Sequence, residues 1–158
     1  MSQTDNSQTG INGFIVLDKP SNMSSMKAIA ILRRKAGRPK TGHAGTLDPL
    51  ATGVLVCALG KATKSISRMM ETTKRYRTTV DLSAFTTTDD LEGDQETITP
   101  TSIPTEKQLA EALENFTGAY LQRPPVFSAM KVNGRRAYQL ARSGKEVVLE
   151  PRPVMVHE

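Results

Sequence analysis

The stretch GHAGTLDPLATGVL, residues Gly42 to Leu55, separates two segments whose patterns predict regular structure. Its three glycines and Pro49 are residues that interrupt helices and strands, so the stretch itself predicts a loop. Asp48 followed by proline is typical of a helix N-cap with proline at the first helical position. We therefore expect a tight turn that leads into a short helix starting at Asp48.

The segments on both sides of this loop predict a sheet and a helix. Gly13–Asp18 (GFIVLD) is continuous enough in apolar residues to predict a buried strand, and Val54–Leu59 (VLVCAL) predicts a central strand. Between them, Ser24 or Ser25 can cap a helix that Gly37 ends. The loop thus joins a helix to a buried strand.

Later segments extend the same mixture of elements. Residues 76–82 alternate as a strand does, Thr105 with Gln108 forms a capping box at the start of a second clear helix, and residues 136–142 predict a short helix. The order of strands and helices is irregular rather than a repeated βαβ pattern. It predicts the α+β class, with a mixed, mainly antiparallel sheet flanked by helices.

Length and composition predict one cytoplasmic domain. The chain has 158 residues, of which 37% are hydrophobic, enough for a modest core. No apolar run approaches the ~20 residues that cross a bilayer, so we expect no membrane partner. Residues 1–11 are polar and lack the apolar stretch of a signal peptide. We therefore assign residues 1–11 to a disordered tail and residues 12–158 to the domain.

Charge is distributed in blocks that favour a polyanionic partner. Residues 19–77 contain 13 Lys or Arg and two acids, a net charge of +11. Residues 81–114 carry a net charge of −8, and residues 115–158 a net charge of +4. A nucleic acid that binds mainly the first and last blocks would explain this pattern, and a solvated basic surface is the ordinary alternative.

Few residues are available for chemistry. Cys57 is the only cysteine and has apolar neighbours, the chain has two histidines, and no Gly-rich phosphate loop of the GxxxxGK[ST] type occurs. The acidic run 89–94 lacks the spacing of a calcium loop. Asp48 is left as the best reactive group. A helix cap and a nucleophile are compatible roles, because the N–H groups at a helix start favour an ionised carboxylate.

GHAGTLDPLATGVL also resembles the signature of the TruB family of pseudouridine synthases, and other segments resemble further motifs of that family. The first is Asp18-Lys19-Pro20 with Ser24-Ser25, in which Asn22 and Ser24 depart from the usual glycine and threonine. The others are Lys74-Arg75-Tyr76 with Leu82, Thr86, Thr88, Asp90 and Gly93, where Ser83 replaces a glycine, and Arg123-Pro124-Pro125 with Ser128-Ala129, Lys131, Gly134, Tyr138 and Ala141-Arg142. The likeness runs from about Asn12 to the last residue.

The resemblance implies a fold and a reaction. It implies the pseudouridine synthase catalytic fold and isomerisation of the T-loop uridine of tRNA, which the enzyme flips out of the RNA loop. The aspartate of the TLDP element is the family's nucleophile, so this role falls on Asp48. Stabilising the detached sugar, bonding to it and taking its proton all stay open as the role of the carboxylate. The reaction needs no cofactor and no metal.

The resemblance also implies contacts with the T stem-loop of tRNA, and none with DNA. Tyr76 would stack on the flipped uridine, and His43 would occupy the space that the uridine vacates, within a substrate-binding loop that includes Gly42 and Thr46. Their ordinary alternatives are a half-buried strand tyrosine and a turn histidine bonded to the main chain. Lys19 would reach a phosphate or pair with a carboxylate. Further phosphate contacts are expected from basic side chains: Lys64, Arg68, Arg33, Arg34 and Arg38.

Members of this family are longer than this chain. They continue with an arginine that pairs with the catalytic aspartate and usually with a C-terminal RNA-binding domain. We therefore expect residues 12–158 to be a truncated N-terminal portion of the catalytic domain, weakly active or inactive alone, with a further chain segment completing its sheet. The alternatives are a non-catalytic RNA-binding fragment and, third, metal-dependent RNA hydrolysis by the acidic run 89–94.

Overall fold

A computed structural model describes residues 10–88, 90–91, 93–99, 102–128, 130–132 and 134–158, without the side chains of Tyr138 and Arg142. The chain divides into two compact units, residues 1–77 and 78–158. Residues 1–9 of the expected tail lie outside the described residues, as do Asp89 and Glu92 of the acidic run. Within the described part of the chain, no helix combines the length and the apolar character needed to cross a membrane.

A three-stranded antiparallel sheet organises the first unit. Its strands are β1 (Gly13–Lys19), β2 (Thr41–His43) and β3 (Gly53–Leu59), in the order β1-β3-β2. The register places Leu17 opposite Leu55 and His43 opposite Cys57. The prediction that 54–59 forms the central strand is therefore confirmed, and residues 44–52 form the connection from β2 to β3.

One face of this sheet is covered by helix α1 (Ser25–Lys35). Ala28 and Ile29 of the helix form a buried cluster with Leu55 and Cys57 of β3. Fully burying an aliphatic side chain contributes about 1.5–3 kcal/mol, so this cluster is the main attachment between helix and sheet. Four partly buried side chains pack against it: Leu17, Met23, Leu32 and Leu47. Leu47 belongs to the β2–β3 connection, which is thereby tied to the core.

Helix α1 has the ends that the sequence predicts. Ser24 is the N-cap, and its hydroxyl accepts a hydrogen bond from the Lys27 amide at 3.2 Å. Gly37 follows the helix with a φ of +78°, a conformation that glycine adopts without steric cost. Of the two serines that could have capped the helix, Ser25 is thus left for another contact.

The other face of the sheet is largely uncovered within this unit. Phe14, Val16 and Val54 are between 45% and 68% exposed, and they alternate with buried or half-buried neighbours. The prediction of a buried first strand is therefore wrong for this face of the sheet. A continuous apolar run does not distinguish one covered face from two, because successive side chains point to opposite sides of the sheet.

Residues after β3 form a 3-10 helix (Gly60–Ser65) and a short helix α2 (Ile66–Met70). Residues 73–82 form neither helix nor strand, so the predicted strand at 76–82 is wrong. Alternation alone does not make a strand, because a strand also needs a neighbour for its ladder of hydrogen bonds. All side chains from 73 to 82 are exposed.

Three strand pairs and two helices make up the described part of the second unit. The pairs, all antiparallel, are β4 (Ala84–Thr86) with β5 (Gln95–Thr97), β6 (Gly118–Gln122) with β9 (Arg152–Val156), and β7 (Lys131–Val132) with β8 (Arg135–Arg136). The helices are α3 (Glu106–Glu114) and α4 (Ala137–Arg142). The capping box of Thr105 and Gln108 at the start of α3 is confirmed.

The α+β class is confirmed, and the arrangement of its strands differs from the expectation. Instead of one mixed sheet, the described residues form four separate antiparallel sheets, one with three strands and three with two. Two of the three two-stranded pairs join segments close in sequence, β4 with β5 and β7 with β8. The order of predicted elements does not show that these pairs stay separate from the three-stranded sheet. The three-stranded sheet, its helix α1 and the connection between β2 and β3 position the candidate site.

Candidate active site

The connection between β2 and β3, residues 44–52, is held to the start of α1 by Ser25. The Ser25 hydroxyl donates to the Leu47 carbonyl at 2.9 Å and accepts from the Leu47 amide at 3.0 Å. Ser25 is buried, so these two bonds are shielded from water. The residue immediately before Asp48 is therefore fixed through both of its main-chain polar groups.

Lys19 holds the other side of Asp48. Its ammonium donates to the carbonyl oxygens of Pro20, Met23 and Pro49 at 2.9, 2.7 and 3.3 Å. The Pro49 carbonyl also accepts from the Met23 amide at 3.3 Å. Lys19 is 1% exposed and its ammonium is engaged by these main-chain carbonyls, a contact that the sequence did not predict. Its expected contact with an RNA phosphate stays a prediction. Lys19 joins the segment after β1 to the residue that follows Asp48.

Asp48 lies between these two attachments with its side chain exposed. No helix starts there, and the helix-cap prediction is wrong: the Asp48 carbonyl accepts only a turn bond from the Ala51 amide at 3.1 Å. A helix needs the carbonyls of Pro49 and Leu50 for its own ladder. Here the Pro49 carbonyl accepts hydrogen bonds from the Lys19 ammonium and the Met23 amide. The Leu50 carbonyl accepts one from the Ser21 hydroxyl at 2.9 Å.

The main chain around Asp48 is held by other groups than the expected helix start. The helix-start N–H groups that were expected to hold the carboxylate are absent from this loop. In their place, buried groups from residues 19–25 fix the main chain on both sides, and the carboxylate is left open to solvent or a ligand. A carboxylate presented from a fixed main chain suits reaction with a bound substrate, because little conformational freedom is left to lose.

His43 is at the end of β2, where the loop begins. Its Nδ1 donates to the Gly45 carbonyl at 2.6 Å, which is the main-chain contact expected of a turn histidine. In the neutral ring this bond leaves Nε2 as the hydrogen-bond acceptor. The bond fixes the plane of the half-buried imidazole, so the ring presents a defined edge and face at the start of the Asp48 loop.

The other predicted site residues lie in the same unit. Thr46 is exposed in the loop beside Asp48, and Gly42 lies on β2, where an added Cβ would approach Ile66 Cδ1 to 2.5 Å. Lys64 is exposed on the 3-10 helix. Tyr76 is 75% exposed in irregular chain, so it is not the half-buried strand tyrosine of the ordinary alternative. Its ring is open to a ligand.

The sequence predicts either Ser24 or Ser25 as the helix cap and does not predict a contact of Ser25 with the Asp48 loop. The pair signals a helix cap, and only one of its members can fill that position. The other faces the core at the first turn of α1, where it meets the main chain of Leu47. A second serine next to the cap is the feature of the sequence that could have indicated such a contact. Its partner could not be predicted, because Leu47 is 22 residues away.

Replacing Ser25 with alanine should loosen the loop that carries Asp48. The substitution leaves the Leu47 amide and carbonyl without their partner, which we expect to cost about 1–3 kcal/mol of unfolding free energy. Hydrogen exchange of the Leu47 amide should speed up about tenfold or more. Ser24→Ala is the matched control, since it removes the α1 cap at a comparable cost but leaves Leu47 bonded. Equal Leu47 protection in both variants would contradict the assignment.

Other reactive groups are not gathered at this loop. Among the described residues, no group of three His, Cys, Asp or Glu side chains lies close enough to hold a metal ion. Cys57 is fully buried in the core, and its burial raises the pKa of the thiol. Because the thiolate is the reactive form, the interpretation of Cys57 as a packing residue is confirmed.

The sequence of this chain, including the Asp48 loop, is similar to that of known proteins. The family model of the N-terminal domain of TruB family pseudouridylate synthases matches residues 33–158. The tRNA pseudouridine synthase B of Bradyrhizobium diazoefficiens is 46% identical over 156 residues, which are 99% of this chain and 45% of that protein. The corresponding protein of Ruegeria pomeroyi is 48% identical over 149 residues, 94% of this chain and 48% of that protein.

The similarity covers nearly all of this chain but only part of each relative. The chain spans about half the length of the curated relatives it matches. In a solved Cbf5-Nop10-Gar1 complex, one chain is 30% identical, with a TM-score of 0.49 over 75% of this chain and 31% of that one. The family model covers well over half of the residues and includes the whole Asp48 loop. This chain therefore belongs to the TruB family of pseudouridylate synthases.

Proposed function

We propose that residues 12–158 form the N-terminal portion of the catalytic domain of a tRNA pseudouridine synthase that acts in the cytoplasm on the T-loop uridine. The observation that carries this proposal is the position of Asp48, exposed between two main-chain attachments to buried groups in a chain that belongs to the TruB family. An exposed carboxylate on a fixed loop is available to a bound nucleotide, and a flexible loop would lose this alignment.

The proposed reaction is an isomerisation that conserves all atoms of the uridine. The bond from C1′ of the ribose to N1 of uracil breaks, the base rotates, and a bond from C1′ to C5 forms. C5 gives up its proton and N1 gains one, so the reaction needs no oxidant, reductant or cofactor. Positive charge develops on the sugar when the first bond breaks, and Asp48 serves as the anion that stabilises or bonds to C1′.

The target base has to leave its RNA loop before this chemistry, at a cost of a few kcal/mol in lost stacking. Tyr76 has an exposed ring that can stack on the flipped uracil. His43, with its plane fixed by the Gly45 carbonyl, takes the space that the base leaves. Gly42 and Thr46 shape the substrate-binding loop, and the exposed Lys64 contacts an RNA phosphate. Lys19 acts through the Asp48 loop rather than on RNA.

The partner in this proposal is the T stem-loop of tRNA, with no DNA and no membrane. The block from residue 19 to residue 77, which contains Asp48, has a net charge of +11. A polyanion is attracted to such a surface, and the single-stranded part of an RNA loop offers bases that can be splayed out and stacked. The exposed basic side chains around the loop fit this kind of substrate.

The test is release of tritium from a T-arm RNA labelled at C5 of the loop uridine. Formation of the new carbon–carbon bond replaces the C5–H bond, so tritium should appear in water above the uncatalysed background. A T-arm RNA labelled only at a stem uridine is the control and should release none. Tight binding of the T-arm RNA with neither tritium release nor an Asp48-dependent adduct on a T-arm RNA that carries 5-fluorouridine would overturn the proposal and favour a non-catalytic RNA-binding fragment. RNA cleavage that EDTA abolishes would point to metal-dependent hydrolysis instead.

A further inference from the structure

An open groove of about 380 Å³ runs along α1 in the first unit. Its floor is apolar and consists of Met26, Ile29 and Ala30. Its rim is basic and consists of three exposed arginines: Arg33, Arg34 and Arg38. The groove begins at the residue after Ser25, which holds the Asp48 loop, and it is distinct from the loop itself.

The charges around this groove are of one sign. Residues 25–38 contain no acid, and among the described residues no carboxylate pairs with Arg33, Arg34 or Arg38. Arg33 is partly fixed, because its Nε donates to the Pro39 carbonyl at 3.2 Å. Planar guanidinium groups bind phosphate through paired hydrogen bonds and stack on bases. Charge complementarity therefore favours a polyanionic occupant.

Arg38 adds an independent observation. Its φ is +65°, in the left-handed region that favours glycine and asparagine, and it follows Gly37, whose φ is +78°. The Arg38 amide donates to the Arg33 carbonyl at 2.7 Å, so the turn that ends α1 holds this conformation. In the described part of the chain, only Arg38 and Asn22 have a positive φ without being glycine. A long basic side chain thus stands at a position where glycine or asparagine would be less strained.

We propose that this groove binds a single-stranded RNA segment next to the target uridine. Met26, Ile29 and Ala30 support a base or ribose, and the arginine rim binds the adjoining phosphates. The proposal rests on the proposed function, because it names a further contact of the same RNA. Single-stranded RNA is the favoured occupant, since a base inside a duplex has no free face to lay on an apolar floor.

Binding is tested by fluorescence anisotropy with labelled T-arm RNA, using chains that also carry Asp48→Asn so that no chemistry occurs. Arg38→Asn should weaken binding roughly fivefold. It should also reduce the magnitude of the slope of log affinity against log salt concentration by about one, as expected for the loss of one phosphate contact. Lys27→Gln, which removes an exposed charge of α1 outside the groove, is the matched control. An equal effect of both substitutions would mean that only bulk charge matters and would overturn the proposal.

The apolar floor has its own test. Met26 is 65% exposed, so Met26→Gln should fold normally. It should weaken binding of the T-arm RNA roughly threefold with an unchanged salt dependence, because it alters stacking and not charge. Binding of a fully double-stranded RNA should be unaffected. If neither the floor nor the rim variant changes RNA affinity, the groove has another occupant and the proposal is wrong.

Thermal stability separates this role from a structural one. If Arg38 serves only the negative end of the α1 dipole, Arg38→Asn should lower the melting temperature. If Arg38 contributes nothing to the fold, asparagine relieves the strain and the melting temperature should rise by about 2–4 °C while RNA binding weakens. A fall in both would overturn the proposal. Groove-dependent binding with neither tritium release nor a 5-fluorouridine adduct from the unsubstituted chain would instead overturn the proposed function and leave this inference standing.

Discussion

Asp48→Asn should lower the rate of pseudouridine formation by about a thousandfold, or to the uncatalysed background, with little change in RNA binding. Asparagine keeps the size of the side chain and removes the negative charge that stabilises or bonds to C1′. The Asp48 side chain is exposed, and the turn bond to Ala51 uses its main-chain carbonyl, so we expect a change in unfolding free energy within about 0.5 kcal/mol. Tritium release and anisotropy on the same T-arm RNA measure the two effects.

A matched control is available in the same unit. Glu71 is an exposed carboxylate at the end of α2, and Glu71→Gln removes the same charge without touching the Asp48 loop. Its tritium release should equal that of the unsubstituted chain. A T-arm RNA with 5-fluorouridine at the target position gives a second measurement, since a stable adduct should form with the unsubstituted chain and not with the Asp48→Asn variant. Turnover by Asp48→Asn within tenfold of the original rate would exclude Asp48 as the nucleophile.

Lys19→Met should destabilise the first unit and disorganise the Asp48 loop together. The substitution removes three hydrogen bonds to main-chain carbonyls, including the bond to Pro49. Relief from burying an ammonium offsets part of the loss, and we expect a net cost of about 2 kcal/mol. That corresponds to a decrease in melting temperature of about 4–8 °C. Tritium release should also fall, because the residue after Asp48 is no longer held.

The same variant decides between the two roles of Lys19. Lys61→Met is the control, because Lys61 is exposed in the same unit and its hydrogen bond to Asn12 uses the main-chain amide, which the substitution keeps. It should leave the melting temperature unchanged. If Lys19→Met kept its stability and lost RNA affinity with a reduced salt dependence, Lys19 would be a phosphate contact and its assignment to the Asp48 loop would be wrong.

Local signals predicted the elements that depend on neighbours in sequence. The Ser24 cap and the glycine after α1, the Thr105 and Gln108 capping box, and the central strand at 54–59 are all confirmed. Each depends on contacts within a few residues or on a strong apolar pattern. The strand expected at 76–82 failed because its existence required a partner strand, which no local pattern can supply.

The Asp48 loop also combines a local sequence signal with contacts from distant segments. Asp48-Pro49 has the local chemistry of a helix start, and the nucleophile role of Asp48 remains a proposal that the resemblance of GHAGTLDPLATGVL supports. The helix does not form because Lys19, Ser21 and Met23 take the carbonyls that it would need. These donors are 26 to 30 residues away from their acceptors in sequence, so their effect exists only after the chain has folded.

The resemblance to a known signature identified the family, while residue type, spacing and short-range pattern predicted the α+β class, most helices and Asp48 as the candidate reactive group. They were not enough to show what holds Asp48 in place, that Lys19 is buried, or that Arg38 is strained beside an apolar groove. The physical reason is that caps and periodicity act over one turn of chain. Burial, hydrogen-bond competition and backbone strain are set by segments that meet only in the tertiary structure.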